Sequence, residues 1–162
     1  MRKKQQAEFN SFDLGFAFSQ DQLNELMKKW NCKEEDLVHI PLTGYIRKTD
    51  LKAFREMDKK HGEEFVNAFN ADKTGEGFIK DMMVEELINH ECSVDPEWAL
   101  NDTLSEMPYL RAEEVYSLKV EHAAEKAMIQ ILKSAGYEGS LTGYRNMVHH
   151  YFADQRRKYH LA

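Results

Sequence analysis

The chain has little cysteine and no long apolar run. Its 162 residues include only Cys32 and Cys92, too few and too isolated for a disulfide framework or a paired-cysteine site. Two free thiols suit a reducing compartment. No stretch approaches the ~20 consecutive apolar residues of a membrane span. The basic start Met1-Arg2-Lys3-Lys4 is not followed by the apolar segment of a signal peptide. A cytoplasmic protein without membrane association is therefore expected. Low-complexity tracts, internal repeats and flexible linkers are also missing, which predicts one domain over residues 1–162, burying roughly 70% of the surface of the unfolded chain. No glycine-rich phosphate loop follows a strand, and no HExxH, CxxC or local nucleophile motif occurs. Catalysis is left without a recognisable motif, and no cofactor is expected.

What the chain does contain is one short stretch of β patterning among helices. Phe12, Leu14, Phe16 and Phe18 alternate with smaller or polar residues, and a period of two places four large apolar side chains on one face of a strand. Ser19 and Gln22 form an S-x-x-Q capping box that opens a helix carrying Leu23, Leu26, Met27 and Trp30. Asn31 suits its end. Residues 37–40 and 45–48 read as two strands joined through Pro41-Leu42-Thr43-Gly44. Residues 1–8 are polar and are expected to fray. Beyond Thr49 the periodicity is helical, with an Asp95-Pro96 start signal and a long helix expected from about Arg111 to Ala135, stopped by Gly136. A last helix begins near Ser140 or Thr142. The fold expected is α+β and helix-dominated: a small antiparallel sheet of about three strands, near 12–18, 37–40 and 45–48, packed by five or six helices.

Charge is unevenly spread. Residues 1–60 carry 12 Lys and Arg against 10 Asp and Glu, residues 61–140 carry 6 against 17, and residues 141–162 carry 4 against 1. An acidic middle between basic ends can steer partners of either sign, although solvated helix faces are the preferred reading of such a pattern.

Three constellations invite a chemical reading. In the loop 72–83, Asp72, Thr74 and Glu76 take the first, third and fifth positions of an EF-hand and Gly77 the sixth. The twelfth position, where a bidentate Glu completes a calcium shell, is Met83, so a helix–helix turn is the preferred reading. Glu86 and His90 lie one helical turn apart with Cys92 just beyond, and His150 and Asp154 repeat the carboxylate–imidazole spacing. If the two helices touch, these five residues are candidate ligands of a zinc or iron site. In the last helix, Arg145, His149, Arg156, Arg157 and Lys158 lie beside a stripe of Tyr144, Met147, Val148 and Tyr151. Such a face can grip a nucleic-acid backbone or an acidic groove, or simply complement the helix dipole while packing.

Phe16-Ala17-Phe18-Ser19 with Gln22, Gly44-Tyr45-Ile46-Arg47-Lys48 and Glu86-Leu87-Ile88-Asn89-His90-Glu91-Cys92 together resemble an uncharacterised family of small proteins from phages and mobile elements of gut-type bacteria. The resemblance implies an accessory or host-interaction role and transfers no catalytic residue. The expected function is therefore that of a non-catalytic binding or accessory protein, acting through a protein partner or self-association. A metal-dependent enzyme or metal-stabilised domain built on Glu86 and His90 is the alternative, and nucleic-acid binding by the basic last helix a further one.

Overall fold

The computed structural model describes residues 2–40, 44–107 and 109–161. Among them are eight α-helices and a two-stranded antiparallel sheet, and the chain divides into two compact units, Met1–Glu63 and Glu64–Ala162. No helix among the described residues is long and apolar enough to cross a membrane.

The first unit opens with helix α1 (Arg2–Phe9), where fraying was expected. Glu8 anchors it: its carboxylate accepts from Lys60 Nζ at 2.9 Å and lies 2.7 Å from His61 Nε2. Hydrogen bonds from Lys60 and then His61 draw the Glu8 pKa down to about 2. Phe9 and Phe12 meet the Phe54 ring edge-on, at 6.0 and 5.4 Å between centroids. Polar composition at residues 1–8 concealed these longer-range partners.

Helix α2 (Gln20–Trp30) starts where Ser19 Oγ accepts from Gln22 N at 3.3 Å. The Gln22 side chain reaches back one residue further than a capping box requires, to Phe18 N at 2.6 Å. Asn31, in the left-handed conformation, ends the helix. A single turn of 3-10 helix (Glu34–Asp36) leads to β1 (Leu37–Ile40), which pairs with β2 (Gly44–Arg47) from Leu37↔Arg47 to Ile40↔Gly44. The expected turn residues Pro41, Leu42 and Thr43 lie outside the described residues.

The third strand expected at 12–18 is not formed. The segment touches the sheet at one bridge, Gly15↔Tyr45, with both N–H···O bonds made at 2.9 and 2.6 Å. The next outward carbonyl of β2, that of Arg47, instead accepts Asp50 N as the following helix begins. Phe12 and Leu14 stay partly buried, but from Gly15 onward the facing reverses. Gly15 is buried so closely that a Cβ there would come within 2.5 Å of Leu26 and 2.9 Å of Trp30. Ala17 follows it inward, packing against the cluster of Leu23, Leu26 and Leu37. Phe16 and Phe18 are thereby turned out, 60% and 89% exposed.

Helix α3 (Leu51–Ala71) is continuous through Gly62. In the second unit follow α4 (Phe78–Asn89), α5 (Pro96–Ser105), the short α6 (Ala112–Val115), α7 (Leu118–Ser134) and α8 (Thr142–Lys158). Helix α4 packs most extensively on α7. Ile79, Met83 and Leu87 of α4 and Val120, Ala123, Ala124, Ala127 and Met128 of α7 are almost wholly buried in one core, with Phe69, Leu100, Val148 and Phe152. Alanine on α7 lets two helix backbones approach closely.

The long helix expected over 111–135 is broken at Tyr116–Ser117. Ser117 is extended, and its hydroxyl donates to Glu114 O at 2.7 Å. Arg156 Nη1 donates to the Tyr116 carbonyl from α8 at 3.1 Å. A local hydroxyl bond and a distant guanidinium together replace the helical hydrogen bonds at this point. Gly136, at φ +81, lies just past the end of α7 as its sequence position suggested.

The 72–77 turn joins α3 to α4. Asp72 accepts from Gly75 N at 2.8 Å, Gly77 N at 3.1 Å and Ile79 N at 3.0 Å. Burial opposes ionisation of this carboxyl, but the backbone donors of Ile79, Gly75, Gly77 and Thr74 outweigh it and hold the pKa below its ordinary 3.8. Because the folded pKa is depressed, the stabilisation is fully present above the ordinary value and is lost as pH falls through the folded one. Asp72→Ala is expected to cost about 1–2 kcal/mol at neutral pH, as loss of a helix cap does, and the gap from wild type to narrow below pH 3.8 in urea titrations run at stepped pH. A second test concerns Thr103, whose buried hydroxyl finds no hydrogen-bond partner among the described residues. Thr103→Val, which keeps the shape and removes the unsatisfied group, is expected to stabilise by about 1 kcal/mol in the same assay.

Candidate functional site

Helix α5 carries the chemistry of the second unit at both its ends. Asp95 caps it, accepting from Trp98 N at 3.0 Å, and Pro96 holds the first turn. At the other end Asp102 and Glu106, four residues apart and so on one face, meet His90, the C-cap of α4. His90 Nδ1 lies 2.8 Å from Asp102 Oδ2, and His90 Nε2 lies 3.6 Å from Glu106 Oε2. Donor atoms of the three residues all fall within 4.8 Å of one another. Exposure rises outward across the set, from 16% for the His90 side chain through 32% for Asp102 to 66% for Glu106. The Trp98 ring stands edge-on to His90 at 5.9 Å. One imidazole nitrogen and two carboxylates make a donor set that suits a borderline divalent cation.

Among the described residues, Glu86, Cys92, His150 and Asp154 do not belong to this group. The Glu86 carboxylate accepts from Asn89 Nδ2 at 3.1 Å. Cys92 is 1% exposed, and burial pushes its thiol up to about 11, so a thiolate ligand is costly there. Asp154 pairs with Arg157, and His150 sits 6.1 Å from the His149 ring on the exposed side of α8. Asp102 and Glu106 carried a sequence signal that spacing alone could have found: two acids four apart in the helix announced by Asp95-Pro96.

Arg145, His149 and Arg156 of α8 face acids of α7. Arg156 Nη2 lies 2.6 Å from Glu121 Oε2, both side chains being less than a fifth exposed. His149 Nδ1 reaches the other oxygen of Glu121 at 2.9 Å, and Arg145 Nε lies 3.1 Å from Glu125. Lys158 stands 5.3 Å from the Tyr159 ring. Much of the positive stripe is therefore neutralised within the unit, which weakens its pull on phosphate.

Asp72 also fixes the chemistry of the 72–83 loop. Its oxygens cap the start of α4 by accepting backbone N–H groups, and the twelfth position of the loop, Met83, offers no carboxylate to complete a calcium shell.

A shallow cleft of about 430 Å³ lies at the start of α5, lined by Asp95, Pro96, Glu97, Tyr137, Tyr144 and Met147 with Ser140 and Gly143. Tyr137 and Tyr144 meet edge-to-face at 5.4 Å on its wall.

Arg156→Ala is expected to destabilise by about 1–3 kcal/mol, because it leaves the Tyr116 carbonyl without its donor and Glu121 with the exposed His149 as its remaining cationic contact. Chemical denaturation with far-ultraviolet circular dichroism measures it.

No curated protein and no solved structure matches the chain. A family model does match, over residues 1–130, and the chain belongs to that family of unknown function, DUF7659.

Proposed function

We propose that the protein is a non-catalytic binding protein whose second unit docks a basic segment of a protein partner in the cleft at the start of α5. The observation that carries this reading is the pairing of aromatic and apolar walls, Tyr137, Tyr144, Pro96 and Met147, with the carboxylates of Glu97 and Asp95. Aromatic faces and carboxylates together favour an Arg or Lys side chain. The excess of acidic residues over 61–140 steers such a segment inward. Trp98, 53% exposed one residue beyond Glu97, supplies an amphipathic anchor of the kind that dominates interfaces.

The two free cysteines fit action in a cytoplasm. The short motifs around Phe16, Tyr45 and His90 support an accessory or host-interaction role in a phage or mobile element.

Affinity capture with wild type beside Glu97→Arg and Tyr137→Ala decides the matter. The expected result is a partner retained by wild type, lost by both folded variants and weakened as salt rises. Retention by both variants, or no partner alongside a monomer in solution, refutes the reading.

A further inference from the structure

We infer that His90, Asp102 and Glu106 form a binding site for a divalent transition-metal cation. The inference stands apart from the docking reading, since the cleft shares none of these three residues.

The first argument is geometric. Zinc-like ions hold imidazole nitrogen and carboxylate oxygen at about 2.0–2.2 Å, which sets neighbouring donors roughly 3–4 Å apart. The donors here already lie within 4.8 Å. His90 and Asp102 are the more buried pair, and Glu106, exposed at the rim, is the side chain free to close the remaining gap. A metal ion would stand between His90 Nδ1 and Asp102 in place of their direct contact. Three protein ligands leave further positions open toward solvent.

The second argument is electrostatic and independent of donor distances. His90 is the C-cap of α4 and Glu106 the C-cap of α5, and their side chains approach to 3.6 Å. Two helix C-termini, each equivalent to about half a negative charge, therefore converge where two carboxylates also stand. Neither helix has a basic residue in its last turn. The His90 ring contacts both carboxylates, Asp102 through Nδ1 and Glu106 through Nε2. A divalent cation would offset the carboxylates and both helix ends at once. Donor chemistry then selects the ion: mixed imidazole and carboxylate ligation favours zinc, iron(II) or manganese(II) over calcium, which prefers an all-oxygen shell.

The test uses tag-free, full-length protein stripped with chelator. Zinc is titrated calorimetrically. Cobalt(II) is titrated while its visible absorption and tryptophan emission are followed, because Trp98 lies within 5.9 Å of His90. The expected result is one saturable ion per chain, with cobalt bands and quenching that saturate together. Glu106→Gln, at a side chain 66% exposed, should fold normally and weaken binding about ten-fold or more. Adding Asp102→Asn should abolish it. Absence of saturable uptake overturns the inference, as does uptake unchanged in Glu106→Gln. If the double variant does not fold, the single variant decides.

Discussion

The Asp72 carboxylate and the space above Gly75 constrain everything built around the start of α4. Gly75 sits at φ +80, and a Cβ there would collide with the Lys119 carbonyl at the start of α7. That close approach brings the Lys119 ammonium over the Phe69 ring at 3.7 Å, where it donates to the carbonyls of Phe69 and Asp72 at 2.8 and 3.3 Å. Burial draws the Lys119 pKa down, and the neighbouring Lys73 adds to the effect. One turn thus satisfies the end of one helix, the start of the next and the docking of a third. The same corner brings Gly75 against Lys119 and Ala123 of α7, beside the alanine-lined α4–α7 interface. In a loop whose spacing partly follows an ion-binding hand, the Asp72 carboxylate serves as a structural joint by accepting backbone amides.

The acidic middle and basic end of the sequence find a physical explanation within the second unit. Glu121 and Glu125 of α7 are matched by Arg156, His149 and Arg145 of α8. Segregated charge in the chain becomes interleaved charge in the fold. Arg156 does more than balance Glu121, because its second amino group takes the Tyr116 carbonyl where α6 gives way to α7. The ion pair therefore helps to fix a helix break as well as a helix contact.

Helix positions were legible where caps and periodicity agreed: Ser19, Asn31, Asp95-Pro96 and Gly136 each sit at or beside an observed end. The hairpin strands were legible too, to within one residue at 44–47. What sequence could not show were partners far along the chain. The 12–18 segment alternates as a strand should, yet Gly15 must lie against Leu26 and Trp30, and that contact decides which side faces in. The uninterrupted pattern over 111–135 concealed a break set by Arg156, some 40 residues away. At the candidate site, His90 was visible as a ligand type, but its companions come from α5 and not from its own helix. Spacing within a helix identifies residues that can meet. Only the fold identifies those that do.

The two ends of α5 differ in what their charges require. Asp95 and Glu97 lie at its N-terminus, where negative charge is favoured by the helix dipole and by capping. Their presence at the cleft is explained by helix stability before any ligand is considered, so it is the aromatic walls that give the cleft its chemical character. Asp102 and Glu106 lie at the opposite end, against the dipole, and beside a second helix C-terminus. No requirement of helix formation places acids there. Sites where local preference and observed residue disagree are the ones at which function is expected. By that criterion the His90 corner, in which two carboxylates are held against both helix ends, carries more functional information than the acidic rim of the cleft.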